Sequence, residues 1–177
     1  MKLIVIDMQK ALMDDELYNR DGLLKNIASI IAAARANGVE VIYVQHDAGP
    51  GTGFSVGDEA FEIADEVAPQ AGEKVFVKTI NSCFGNKDFT AYLEAAKDDT
   101  LMIVGLQTNF CIDATVKSAF ERGYDVIVPE GAHSTFDNPY MTGETTCAYY
   151  FNEVWPGLFA DCVSLDEALA LIQKKDS

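Results

Sequence analysis

Three residues of different chemical type each stand at or just beyond the end of an apolar run. Asp7 follows Leu3–Ile6, Lys78 closes V-F-V-K, and Cys111 follows L-M-I-V-G-L-Q-T-N-F. A carboxylate can take a proton, an ammonium can steady negative charge, and a thiol can become a nucleophile. Together they are the parts of covalent hydrolysis. Cys111 is predicted to open a helix, where free amides and the helix dipole favour a thiolate. The same amides could hold an oxyanion. Each residue alone has a plainer reading: Asp7 as a turn cap, Lys78 as a solvated lysine, Cys111 as a small buried apolar group. It is their shared position at strand ends that points to a site.

Residues 2–6, 39–44, 74–78, 101–104 and 126–128 read as strands, rich in β-branched residues. Leu23, Leu24, Ile27, Ile30, Ile31 and Ala34 recur at helical spacing, and Gly38 ends that helix. Further helices are expected over Phe89–Ala96, Cys111–Arg122 and Thr142–Phe151, with a short one over 59–67. An S-x-x-E capping box at Ser164 and Glu167 opens a C-terminal helix. Thr108 or Asn109 is expected to cap the Cys111 helix. The glycine-rich stretch 48–57 and residues 131–140 read as loops. Strand and helix alternate, so the expected fold is one α/β domain over 1–177, a doubly wound parallel sheet with helices on both faces. Such sheets bind ligands beyond the carboxyl ends of their strands, where Asp7, Lys78 and Cys111 fall.

Near that edge His46 is expected at a strand end by the pocket mouth, although a hydrogen-bonded polar residue is the simpler alternative. Cys83 could line the pocket or fill the core. Phe54, Phe84 and Phe110 could supply apolar walls, with core packing as the alternative for each. The 13 basic and 28 acidic residues give a net charge of −15. So negative a surface repels phosphate backbones and anionic lipid, which argues against nucleic acid and membranes as partners. Leu3–Ile6 is too short for a signal-peptide core, and a cytoplasmic protein with free thiols is expected.

The motifs V-I-D-M-Q at 5–9, V-K-T-I-N-S-C-F at 77–84, V-G-L-Q-T-N-F-C-I-D-A-T at 104–115 and G-Y-D-V-I-V-P-E-G-A at 123–132 resemble the isochorismatase-like cysteine hydrolase superfamily. The resemblance covers almost the whole chain and implies a three-layer α/β/α fold around a doubly wound, mostly parallel six-stranded sheet. It implies a triad of Asp7, Lys78 and Cys111. It also implies a cis peptide at Leu106–Gln107 and an oxyanion hole from the amides of Gln107 and Cys111. Gln9, in the D-x-Q pattern, would support Asp7. The implied activity is hydrolysis of a C–N bond in a small molecule through a thioester, by a homo-oligomer. Isochorismatases proper hydrolyse a vinyl ether and usually lack the cysteine, so Cys111 favours C–N hydrolysis, with vinyl-ether hydrolysis as the alternative. The Q-T-N-F-C pattern is similar to a subgroup resembling streptothricin hydrolases. Nicotinamidases carry an Asp-x-His metal motif with further histidines; this chain has only His46 and His133, so no metal or other cofactor is expected.

Two other signals compete. Gly53-Phe54-Ser55-Val56-Gly57 matches the G-x-S-x-G nucleophile elbow, but D-A-G-P-G-T precedes it where a strand is required. The spaced glycines 49, 51 and 53 loosely suggest a flavodoxin-like, non-catalytic nucleotide or flavin binder, but no phosphate-binding motif follows.

Overall fold

Alternation of apolar side chains along the central strands builds two cores. In β1 (Lys2–Ile6), Leu3 and Val5 face one core while Ile4 and Ile6 face the other. Full burial of each such side chain contributes about 1.5–3 kcal/mol, so both faces must be covered. In this computed structural model, which describes residues 1–96 and 98–174, helices cover both. On the first face α1 (Arg20–Ala36) and α5 (Leu165–Gln173) pack Ile27, Ile30 and Ile172 against the sheet. On the second, α2 (Lys87–Ala96) and α3 (Asp113–Glu121) bury Phe89, Leu93 and Val116. Lys97 and residues 175–177, part of the expected span, lie outside the described residues.

The remaining strands are β2 (Glu40–His46), β3 (Lys74–Lys78), β4 (Thr100–Leu106), β5 (Asp125–Pro129), β6 (His133–Ser134) and β7 (Asp161–Val163). The sheet runs β3-β2-β1-β4-β5-β7, and every strand pairing is parallel. The expected six-stranded path is present, with a seventh, two-residue strand beside it. β5 pairs the first half of β4, and β6 pairs Gly105 and Leu106 at its end. The chain winds outward from β1 through β2 to β3, then returns to β4 on the other side of β1. The topological switch point therefore lies between β1 and β4, where an open α/β sheet leaves a crevice.

Among the described residues, no helix is long and apolar enough to cross a membrane. The expected short helix over 59–67 is two 3₁₀ turns, Glu59–Phe61 and Asp65–Val67. Helix α4 (Gly143–Tyr149) starts at a Thr142 cap and continues as a π-helical turn over Tyr150–Val154. The capping box at Ser164 and Glu167 forms as read, with both reciprocal bonds present.

Candidate active site

The switch point is built by close backbone approach. Gly105 on β4 has φ +121°, and a Cβ there would sit 2.0 Å from the carbonyl oxygen of Ile6. Only glycine lets β4 run this close to the end of β1. Directly after β1, Asp7 has φ +51°, a left-handed conformation that Asp tolerates better than most residues. Its N–H donates to the Val44 carbonyl at 2.8 Å. After β4, the Leu106–Gln107 peptide is cis. A π-helical turn over Thr108–Ile112 then leads into α3 and carries Cys111.

The capping expectation is corrected here. Gln107 takes the extended cap position of that turn, and no side chain caps it. The Thr108 hydroxyl instead meets His133 Nδ1 at 2.9 Å and Cys147 Sγ at 3.3 Å, and Asn109 Oδ1 accepts from Thr135 at 2.7 Å. Thr108 thus faces β6 and α4, and Asn109 faces the residue that follows β6.

Asp7, Lys78 and Cys111 meet. Lys78 Nζ donates to Asp7 Oδ2 at 2.8 Å and to Cys111 Sγ at 3.1 Å, and it lies 3.1 Å from His46 Nδ1. The Lys78 and Asp7 side chains are almost wholly buried, at 0% and 2% exposure. In register, His46 of β2 lies opposite Lys78 of β3, so Lys78 reaches Asp7 across the end of β2. Asp7 Oδ1 is buried without a hydrogen-bond partner.

Burial raises the Asp7 carboxyl above its ordinary range, against the pull of Lys78. Burial would depress Lys78, but the charges of Asp7 and Cys111 outweigh it and keep the ammonium above its usual value. Burial, aided by the Asp7 charge, pushes the Cys111 thiol up to about 12. Where a helix end was expected to favour a thiolate, desolvation and the neighbouring Asp7 act in the opposite direction. The thiol stands beside a carboxyl group that has one oxygen on Lys78 and the other without a hydrogen-bond partner.

A cavity of about 160 Å³ opens on this cluster. His46, Phe54 and Phe110 line it together with Asp7, Gln107 and Cys111, and so do Leu12 and Asn81, which the sequence reading missed. Cys111 Sγ lies 3.9 Å from Asn81 Oδ1. Asn81 follows β3 by three residues; a polar side chain so close beyond a strand end was the available signal. Three expected pocket residues are elsewhere. Gln9 is wholly buried and its side-chain hydrogen bonds go elsewhere than Asp7: its Nε2 donates to the carbonyls of His46 and Phe61, and its Oε1 accepts from the His46 N–H. Cys83 is wholly buried, with its N–H donating to Thr115 Oγ1 on α3. Phe84 packs edge-on to Phe89 and beside Tyr124 in the second core. The turn after Asn81 carries both inward beneath α2 and α3.

A larger cavity of about 350 Å³, around Tyr18, His133 and Phe151, holds none of the three clustered groups. Ser55 sits in a loop and its N–H donates to Asp58, with neither the strand nor the helix of a nucleophile elbow beside it. Ligand atoms of Asp7, His46 and Cys111 lie within 4.8 Å of one another. Lys78 Nζ lies within 3.1 Å of one atom of each of these three residues.

Comparison with known proteins points the same way as the geometry. A model of the isochorismatase domain matches residues 2–155. Streptothricin hydrolase of Streptomyces noursei is 30% identical over 139 residues, 77% of this chain and 50% of that protein. The chain spans about half the length of the streptothricin hydrolases it matches. Ureidoacrylate amidohydrolase RutB of Agrobacterium fabrum (strain C58 / ATCC 33970) is 27% identical over 168 residues, covering 73% of this chain and 74% of that one. A solved isochorismatase-family chain from Chromobacterium violaceum ATCC 12472 matches with a TM-score of 0.89 at 27% identity, over 96% of this chain and 92% of the other.

Proposed function

The chain belongs to the isochorismatase family, and from that premise we propose that it is a metal-independent cysteine hydrolase of a C–N bond in a small amide, ureide or lactam. One observation carries the reading. Lys78 Nζ bridges Asp7 and Cys111 beside a cavity, while Asp7 Oδ1 stays buried and unpartnered. A base with one oxygen held and the other free beside a thiol is the arrangement proton abstraction needs.

Asp7 takes the thiol proton as Cys111 Sγ attacks the carbonyl carbon. The carbonyl π electrons move to oxygen, and that oxyanion is received by the amides of Gln107 and Cys111. Collapse breaks the C–N bond, and Asp7 passes its proton to the leaving nitrogen. The acyl group remains on sulfur as a thioester. Water then loses a proton to Asp7 as its oxygen attacks. The second tetrahedral species expels Cys111 sulfur, which takes the proton back. Lys78 holds the negative charge as it moves between Asp7 and sulfur. Streptothricin hydrolase and ureidoacrylate amidohydrolase among the relatives support hydrolysis at C–N over vinyl-ether cleavage, as does the presence of Cys111.

The test is a panel of small primary amides and ureides followed by ammonia release, and lactams followed by the mass of the ring-opened product. Cys111→Ala should abolish release from any substrate found, and Cys111→Ser should fall by at least about a hundredfold. Turnover retained in Cys111→Ala would refute the proposal.

A further inference from the structure

The Asp7–Cys111 assignment leaves one contact unused. An ammonium has three N–H donors, and Lys78 has three neighbours at hydrogen-bond distance: Asp7 Oδ2 at 2.8 Å, Cys111 Sγ at 3.1 Å and His46 Nδ1 at 3.1 Å. Because Lys78 can only donate, His46 Nδ1 must accept. The imidazole is then neutral, with its proton on Nε2.

The backbone of His46 is pinned as firmly as its ring. Gln9 pairs with it twice, donating to its carbonyl at 3.0 Å and accepting from its N–H at 2.8 Å. Gln9 is also anchored to the Phe61 carbonyl at 2.9 Å. Phe54 lies beside the imidazole, with ring centroids 6.1 Å apart. A buried amide thus fixes the end of β2, β2 fixes His46, and His46 holds the third proton of Lys78.

We propose that His46 is a positioning residue of the Cys111 site: as a neutral acceptor it fixes the Lys78 ammonium against Cys111 sulfur. This rests on the reading of Cys111 as nucleophile and adds a fourth residue to it. Without the third acceptor, one N–H of a buried ammonium is left unsatisfied, and Nζ moves off sulfur to find another partner. A protonated His46 would do the same, because it would present a second cation to Lys78. The charged and titratable groups facing the imidazole are Lys78 from β3, Asp7 after β1, Asp47 next in the chain and the Cys111 thiol. Burial and Lys78 together hold His46 below its ordinary value, so it stays neutral through the physiological range.

The experiment needs no substrate. Iodoacetamide is small, amide-shaped and attacked by sulfur. The rate of Cys111 carbamidomethylation is followed by peptide-mapped mass spectrometry from about pH 5 to about pH 8, with thermal unfolding as the control for folding. Three chains are compared: wild type; His46→Phe, which keeps the ring but has no acceptor; and His46→Asn, whose Oδ1 stands near the position of Nδ1 and does not titrate. His46→Phe should label about tenfold to a hundredfold more slowly, the size of one hydrogen bond to a charged group. His46→Asn should recover most of that loss, and the acid-side fall that stays in it belongs to Asp7 and to the thiol itself. Wild-type rate and pH profile in His46→Phe would overturn the assignment, as would a slow His46→Asn chain that melts normally. If wild-type Cys111 labels no faster than Cys162, the nucleophile reading itself falls; if that selectivity is present and His46→Phe keeps it, only the His46 assignment falls.

Discussion

Asp7 joins two demands that pull on one side chain. Its backbone is left-handed at φ +51°, and its carboxylate is buried with one oxygen on Lys78 and the other free. Asn tolerates the same backbone but cannot take a proton. Asp7→Asn should therefore lower kcat by about 10²–10⁴-fold with little change in KM, the usual contribution of a general base. It also leaves the buried Lys78 without a counter-charge, so a loss of about 3 kcal/mol or more is expected in urea unfolding. The pH dependence follows from the same burial. The base works only when deprotonated, and its proton is held above the ordinary Asp range. The acid limb of kcat/KM should thus lie above the usual Asp value of about 4, and a limb at or below that value would contradict a buried base.

At the scale of elements, the site depends on how closely β1 and β4 approach. Gly105→Ala would set a Cβ against the Ile6 carbonyl and force an unfavourable φ. A loss of about 2 kcal/mol or more is expected, together with slower labelling of Cys111 as the two strands separate. Urea unfolding and labelling rates check both. How much of this was legible in the sequence depended on pattern length. The strands 2–6 and 74–78 have the ends read from their apolar runs, and α1 and α5 follow their periodicity and caps. β7 is three residues long and β6 two, too short for any periodicity to stand out, and neither was read as a strand. The π turn at Cys111 was hidden for a different reason: a wider turn leaves the same residue types in the same order. Within the site, the strand ends located Asp7, Lys78 and Cys111, because a parallel sheet gathers its carboxyl ends at one edge. Side-chain direction past a strand end was not legible. Asn81 turns to the cavity while Cys83 and Phe84 turn to the core, and only the polarity of Asn81 marks the difference in the local sequence.

For the molecule as a whole, the net charge of −15 is a long-range field acting on any ligand that approaches. The ammonium at the centre is fully buried and already has three neighbours, so it offers little to draw an anion in. Iodoacetate and iodoacetamide differ chiefly in charge and attack the same thiol. Labelling of Cys111 by iodoacetate should quicken as ionic strength rises from about 0.01 M to about 1 M, where screening shortens from roughly 30 Å to roughly 3 Å. Labelling by iodoacetamide should stay nearly constant. Equal salt responses would show that the surface field does not reach the cavity.

The account turns on a covalent bond between substrate carbon and one sulfur. The most direct measurement is acid-quenched peptide mapping of the enzyme during turnover of an amide found to release ammonia. An acyl mass added to Cys111 alone, and absent from Cys111→Ala together with the ammonia, is the predicted result. Turnover at steady rate in a chain whose Cys111 is replaced by alanine, or an acyl group carried on another residue, would contradict it.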